Sequence, residues 1–140
     1  TGTYQVDVAQ TSLSTRSLGD LIGQTTEHAP ITPLDTIFGG AIDFQNDRDM
    51  YQFILEAGVT YQFDVRGSNS SHGTLWDPQA FLYNSDRVIV GQDDDSGTAF
   101  DASIAYTAPT SGSYYLDVIS NMGLFAQSAG TYSVETDFIL

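Results

Sequence analysis

Four carboxylates, Asp93, Asp94, Asp95 and Asp101, fall within nine residues of one another. A fifth, Asp77, lies on the preceding strand of what reads as a hairpin around Asn84-Ser85-Asp86. A two-residue turn at Ser85-Asp86 would pair Asn84 with Arg87 and set Asp77 opposite Asp93 or Asp94. Like charges facing each other across strands repel, and a cation between them removes that cost. Calcium takes about 6–8 oxygen ligands at roughly 2.3–2.6 Å, mostly carboxylates and carbonyls. The loop Ser96-Gly97-Thr98-Ala99-Phe100, bracketed by Asp95 and Asp101, could wrap such an ion and add carbonyls. The spacing is neither that of an EF-hand nor that of a Gly-rich nonapeptide repeat. The competing reading is structural: Asp93 and Asp95 cap a turn through their own backbone, and Asp77 caps the turn at Pro78.

Catalytic constellations are weaker. His28 and His72 stand in loop-like stretches without metal-ligand spacing. No serine has the Gly-x-Ser-x-Gly setting of a nucleophile elbow. A carboxylate pair for glycoside hydrolysis stays open among so many acids, but few of them read as buried, and a raised-pKa acid needs an apolar pocket. The residues therefore point to a domain that is not an enzyme.

The whole chain is acidic. Its formal net charge is −14 over 140 residues, it has no lysine, and its only cations are Arg16, Arg48, Arg66 and Arg87. Nucleic acid as a partner is excluded for want of a basic face, and anionic lipid is disfavoured for the same reason. No apolar run approaches membrane-spanning length, so membrane insertion is not expected. Asp outnumbers Glu fifteen to three, a bias toward the short carboxylate that suits turns and oxygen-rich cation sites. There is no cysteine, which removes disulfides and thiolate chemistry and leaves a bound cation as the natural staple for an extracellular domain.

The elements that must hold these residues are short strands. Thr36–Phe44, Met50–Glu56, Thr60–Arg66, Leu75–Tyr83, Arg87–Gly91, Asp101–Thr107, Ser113–Ser120 and Thr131–Phe138 alternate apolar and polar residues between Gly, Pro and Asn turns. Gly39-Gly40 marks a bulge or a close backbone approach. Met50–Glu56 and Thr60–Arg66, joined across Ala57-Gly58, read as a hairpin. The fold class is all-β, an antiparallel β-sandwich of jelly-roll type with about eight strands. Before it, Asp20–Asp35 reads as an extended lead-in. Residues 1–19 read as a separate piece: Gly2-Thr3-Tyr4-Gln5-Val6-Asp7 repeats the pattern of Gly130-Thr131-Tyr132-Ser133-Val134-Glu135, and Gln10–Gly19 is linker-like. Either residues 1–8 are the last strand of a preceding repeat, or the match is a coincidence of two Tyr/Val strands. The sandwich itself is assigned to residues 20–140.

An ordered set of short pieces resembles the bacterial pre-peptidase C-terminal domain, a family related to the collagen-binding domains of clostridial collagenases. The match covers about residues 20–138, and its pieces are Gly39-Gly40-Ala41-Ile42-Asp43, Asp47-Arg48-Asp49-Met50-Tyr51-Gln52-Phe53, Leu55-Glu56-Ala57-Gly58-Val59-Thr60-Tyr61, Gly73-Thr74-Leu75-Trp76-Asp77-Pro78, Leu82-Tyr83, Asp93-Asp94-Asp95, Asp101-Ala102-Ser103-Ile104, Ala108-Pro109-Thr110-Ser111-Gly112-Ser113-Tyr114-Tyr115-Leu116-Asp117-Val118 and Gly130-Thr131-Tyr132. The resemblance implies a secreted, non-catalytic sandwich appended to a protease or other extracellular enzyme, with calcium bound in some members and insoluble substrate in others. In the collagen-binding relatives calcium lies between an acidic lead-in and the segment before the second strand. The matching segment here contains Asn46 and Asp49, whereas the lead-in carries one carboxylate, in Asp20-Leu21-Ile22-Gly23-Gln24. The resemblance thus implies a single second calcium held by Asp20, Asn46, Asp47 and Asp49. Exposed aromatics, Tyr115 first and then Tyr83, Trp76 and Phe125, are the residues expected to meet a polysaccharide or fibrous protein. Tyr115 leads because alternation sets it opposite Tyr114 and Leu116. The second functional reading is a structural spacer in a tandem-repeat extracellular protein.

Overall fold

Alternation decides which side chains of each strand can leave water together. In the computed structural model, which describes residues 29–121 and 129–139, that alternation closes one core between two four-stranded antiparallel sheets. The strands are β1 (Ile37–Ile42), β2 (Arg48–Leu55), β3 (Thr60–Arg66), β4 (Pro78–Tyr83), β5 (Ile89–Asp93), β6 (Ala102–Thr107), β7 (Gly112–Ser120) and β8 (Gly130–Ile139). One sheet has the order β1-β8-β3-β6 and the other β2-β7-β4-β5. This interleaving of two Greek keys is the jelly-roll connectivity expected from the sequence. The separate piece expected at residues 1–19, and the part of the lead-in before residue 29, lie outside the described residues.

Tyr51, Phe53 and Leu55 of β2 face Tyr61, Phe63 and Val65 of β3 across the core, all at 3 % exposure or less. The Phe53 and Phe63 rings meet edge-on at 5.2 Å, an arrangement aromatic pairs favour. This corrects the β2–β3 hairpin. β2 pairs with β7, and β3 pairs with β6 and β8. The Glu56–Val59 turn therefore carries the chain from one sheet to the other, with Gly58 at φ 85°. The physical reason is that both strands point a large aromatic face the same way. As hairpin partners those faces would lie side by side; on opposite sheets they bury each other.

Gly39 and Gly40 form no bulge, since β1 and β8 pair without a break from Ile37↔Glu135 to Ile42↔Gly130. Gly40 is instead a close approach. A methyl group there would come within 2.4 Å of the hydroxyl oxygens of both Tyr132 and Tyr51. The free edge of β2 is covered by the lead-in. Thr32 N–H donates to the Gln52 carbonyl (2.8 Å) and Gln52 N–H to the Pro30 carbonyl (2.9 Å), which blunts an edge open to pairing with other chains.

The β4–β5 turn is wider than two residues. Asn84 N–H donates to the Val88 carbonyl and Arg87 N–H to the Asn84 carbonyl. Arg87 is in the left-handed region at φ 64°, and Asn84 Oδ1 accepts from Asp86 and Val88 N–H. With a register shift between Leu82 and Tyr83, Ala80 comes to lie opposite Asp93. That corrects the two-residue turn and moves the register by two positions.

Candidate functional site

The hydrogen-bonded ladder of β4 and β5 stops at Ala80↔Asp93, and beyond it both chains cross the same end of the sandwich. There Asp77, Asp94 and Asp95 each present a carboxylate oxygen within 4.8 Å of the others. Asn121, at the end of β7, joins them. Its side-chain amide donates to Asp94 Oδ2 (2.9 Å) and its backbone N–H to the Asp77 carbonyl (2.8 Å). Asp77 Oδ1 and Asp94 Oδ1 are both withdrawn from solvent without a hydrogen-bond partner. Burial first, then the charges of Asp94 and Asp95, push the Asp77 carboxyl up to about 6. Burial, then Asp95 and Asp93, raise that of Asp94. Carboxylates gathered this closely repel one another, and a hard divalent cation among them would relieve that repulsion.

The other two members of the acidic stretch are turned to different tasks. Asp93 Oδ2 accepts from Ser96 N–H (3.0 Å) and Ser103 N–H (2.8 Å). Burial works against the charged form there, but these bonds hold its carboxyl below the ordinary range. Asp101, 2 % exposed, accepts Gly67 N–H on Oδ1 at 2.9 Å. Neither belongs to the cluster of converging oxygens. The loop between them folds on itself through Gly97 N–H to the Asp101 carbonyl and Asp101 N–H to the Thr98 carbonyl.

At the β1–β2 connection, Asn46 is exposed and left-handed at φ 68°. Asp47, 1 % exposed, accepts Asp43 N–H on Oδ2 (2.7 Å) and Arg48 N–H on Oδ1 (2.9 Å), so it holds the turn. Asp49 lies at the end of the core with 0 % exposure. Its Oδ2 accepts the Tyr132 hydroxyl at 2.5 Å, and that hydroxyl is 2.6 Å from the hydroxyl of Tyr51. Burial, partly offset by Tyr132 and reinforced by Asp47 and Asp43, pushes the Asp49 carboxyl up to about 8. Asp49 Oδ1 and Asp43 Oδ2 are buried without partners. Of the second expected calcium set, Asp20 lies outside the described residues.

The outer face of the β2-β7-β4-β5 sheet carries the aromatics. Tyr83 and Tyr115 are direct cross-strand partners, both half-buried, with Gln52 on the far side of Tyr115. Beside them Asp117, 0 % exposed, forms a two-pronged ion pair with Arg48 through Nε and Nη2. Trp76 stands elsewhere. It is 45 % exposed and packs on Phe100, itself 40 % exposed, at 6.1 Å, because its neighbour Leu75 occupies the inner position at 0 %. Phe125 lies outside the described residues.

Asn121, Asp43 and the Arg48–Asp117 pair were not singled out in the sequence. Asn121 follows a strand and precedes a Gly-containing loop, with nothing in its surroundings to mark it as a partner of a carboxylate 27 positions away. Asp117 was legible as an acid inside an apolar strand, a position that calls for a cationic partner.

No protein-family model matches the chain, and a comparison with curated proteins finds no match either. Solved structures do match. The pre-peptidase C-terminal domain of collagenase from Bacillus anthracis superposes with a TM-score of 0.58 at 18 % identity, covering 82 % of this chain and 100 % of that one. PliG, a periplasmic inhibitor of g-type lysozyme, matches in its Salmonella Typhimurium form with a TM-score of 0.51 at 19 % identity, covering 79 % of this chain and 98 % of that one. The Aeromonas hydrophila form gives 0.50 at 16 % identity, covering 78 % and 95 %. The eight-stranded jelly roll described above is thus the fold of the collagenase pre-peptidase C-terminal domain.

Proposed function

We propose that this domain is a non-catalytic, calcium-stabilised accessory module of a secreted protein, which holds an attached enzyme on an extracellular polysaccharide or fibrous protein. The observation that supports the targeting role is the Tyr83–Tyr115 cross-strand pair on the outer face of a sheet, two half-buried rigid amphipathic side chains of the kind that anchor an extended ligand. The partners of the buried acids support a non-catalytic reading: Asp117 pairs with Arg48, Asp49 with Tyr132, Asp47 with the Asp43 and Arg48 N–H groups, and Asp101 with Gly67. The likeness to the collagenase domain supports attachment to a catalytic neighbour outside the cell. Among the described residues, no helix is long and apolar enough to cross a membrane.

Asp77, Asp94 and Asp95, with Asn121 beside them, would hold the calcium; the ion supplies charge neutralisation at one corner of the sandwich and no chemistry beyond it. Asp43 and Asp49 mark the second place where a cation would meet orphaned oxygens.

The test is retention on insoluble chitin, cellulose, alginate gel and collagen. Retention on one of these, reduced at least about tenfold in Tyr115→Ala and in Tyr83→Ala, is the expected result for aromatic anchors. No retention on any matrix replaces targeting with the spacer reading.

A further inference from the structure

The last strand has a second version in the chain. Gly2-Thr3-Tyr4-Gln5-Val6-Asp7-Val8 follows the order of Gly130-Thr131-Tyr132-Ser133-Val134-Glu135-Thr136, within the strand β8 that lies between β1 and β3. Two strands rich in Tyr and Val can coincide in residue type. They have no reason to coincide in what each position must do, and the structure shows those tasks one by one.

A Cβ at Gly130 would lie 2.6 Å from the backbone of Leu75, so a side chain there has no room. Thr131 clasps the β3–β4 loop. Its carbonyl accepts Thr74 N–H (2.9 Å) and Leu75 N–H (2.8 Å), its N–H donates to the Thr74 hydroxyl (2.9 Å), and its own hydroxyl oxygen accepts Thr74 N–H (3.0 Å). Tyr132, 2 % exposed and opposite Gly40, donates its hydroxyl to Asp49. Val134 is buried in the core, and Glu135 pairs with Arg66 at 2.8 Å. Residues 2–8 keep all five positions as Gly2, Thr3, Tyr4, Val6 and an acid, Asp7. The changes fall where the slot is permissive. Ser133, with Gln5 as its counterpart, is on the outward side of the strand. Thr136, against Thr36, has Val8 as its counterpart, a residue of the same branched outline.

The path of the chain agrees with a repeat. Residues 30–32 run parallel to β2 along its edge, from the end of the sandwich where Ile42 and Gly130 pair. β8 leaves at the opposite end, where Ile139 pairs with Thr60. A chain that enters at one end and leaves at the other lets sandwiches follow one another in line, as in a repeat array. We propose that residues 2–8 are the closing strand of a preceding copy of this sandwich, so that the N-terminal neighbour of this domain is a second copy of its own fold. The strand specifies the copy that receives it: a backbone close enough to require Gly2, a buried carboxylate for the Tyr4 hydroxyl, as Asp49 serves Tyr132, and a guanidinium for Asp7, as Arg66 serves Glu135. This goes beyond the accessory role, since the parent protein then carries such modules in tandem.

The full chain tests this, because one substitution empties the slot of β8. Val134→Asp places a charge in the core and expels the strand. Residues 9–28, twenty in all, extend to at most about 70 Å, roughly twice the length of a ten-residue strand. Residues 2–8 therefore reach the emptied slot of the same or of a second molecule. In calorimetry, Val134→Asp should keep one cooperative transition about 10 °C below the parent, and amide hydrogen exchange should show residues 3–8 newly protected. Val6→Asp alone should melt with the parent, since β8 fills the slot. Val6→Asp combined with Val134→Asp should lose the cooperative transition. The proposal is overturned if Val134→Asp has no cooperative transition although Val6 is intact, if residues 3–8 stay unprotected in it, or if the double variant melts where Val134→Asp does.

Discussion

Replacing Asp77 by Asn should change the sign of its effect on stability according to whether calcium is present. Without the ion, Asp77 is a carboxyl pushed from 3.8 to about 6 by burial and by its two acidic neighbours. The folded state then holds a proton to higher pH than the unfolded chain. This stability is fully present below about pH 4 and is lost as pH rises through about 6. A difference of about 2 corresponds to about 3 kcal/mol. Solvent reaches the open side of the cluster and screens it, so about 1 kcal/mol is a sounder figure at pH 8. In chelator at that pH, Asp77→Asn should therefore melt about 3–5 °C higher than the parent chain. With calcium the order reverses. An ion at a hundred times its Kd adds about 2.7 kcal/mol, roughly 10 °C for a chain of this size, and Asp77→Asn forfeits most of it. The assay is differential scanning calorimetry of metal-stripped protein with chelator or millimolar calcium at pH 8, repeated at pH 5, where protons compete for the same oxygens. Two outcomes refute the reasoning: a parent melting curve indifferent to calcium, or an Asp77→Asn variant that gains as much as the parent.

Two further perturbations address the other end of the core. Gly40→Ala should cost about 3 kcal/mol, because the new methyl overlaps the Tyr132 and Tyr51 hydroxyls and breaks their chain to Asp49. Gly39→Ala, whose methyl would rest 3.4 Å from the Tyr132 carbonyl, should cost well under half of that; equal losses in urea titrations would contradict the steric account. Asp49, with its carboxyl raised to about 8, should make the chelated protein progressively less stable as pH climbs from about 4 through 8. Asp49→Asn should flatten that slope, and parallel slopes in a pH series of urea titrations would count against the burial of an ionisable group there.

Much of the fold could be read from the alternation of side chains. Tyr114, Leu116 and Val118 on one face of a strand and Tyr115 on the other prescribe a two-layer arrangement, whatever the partners. Pairing was not legible in the same way. The short Ala57-Gly58 turn argues locally for a β2–β3 hairpin, but the two aromatic faces bury more surface across the core than side by side, and this non-local gain decides the sheet to which each strand belongs. In the acidic stretch, the choice of Asp77, Asp94 and Asp95 over Asp93 and Asp101 depends on where a ladder ends and on which backbone N–H groups lie within 3 Å. No spacing in the chain records either.

Composition and periodicity by themselves determined an acidic, cysteine-free, all-β domain with carboxylates gathered in one stretch, since charge and amphipathic alternation are properties of the chain. The tertiary structure alone decided which of those carboxylates converge, that Asn121 joins them, that Tyr83 meets Tyr115, and that Asp101 keeps a buried oxygen without a donor. Each of these is a contact between segments tens of residues apart, set by how two sheets pack rather than by any residue's neighbours in sequence.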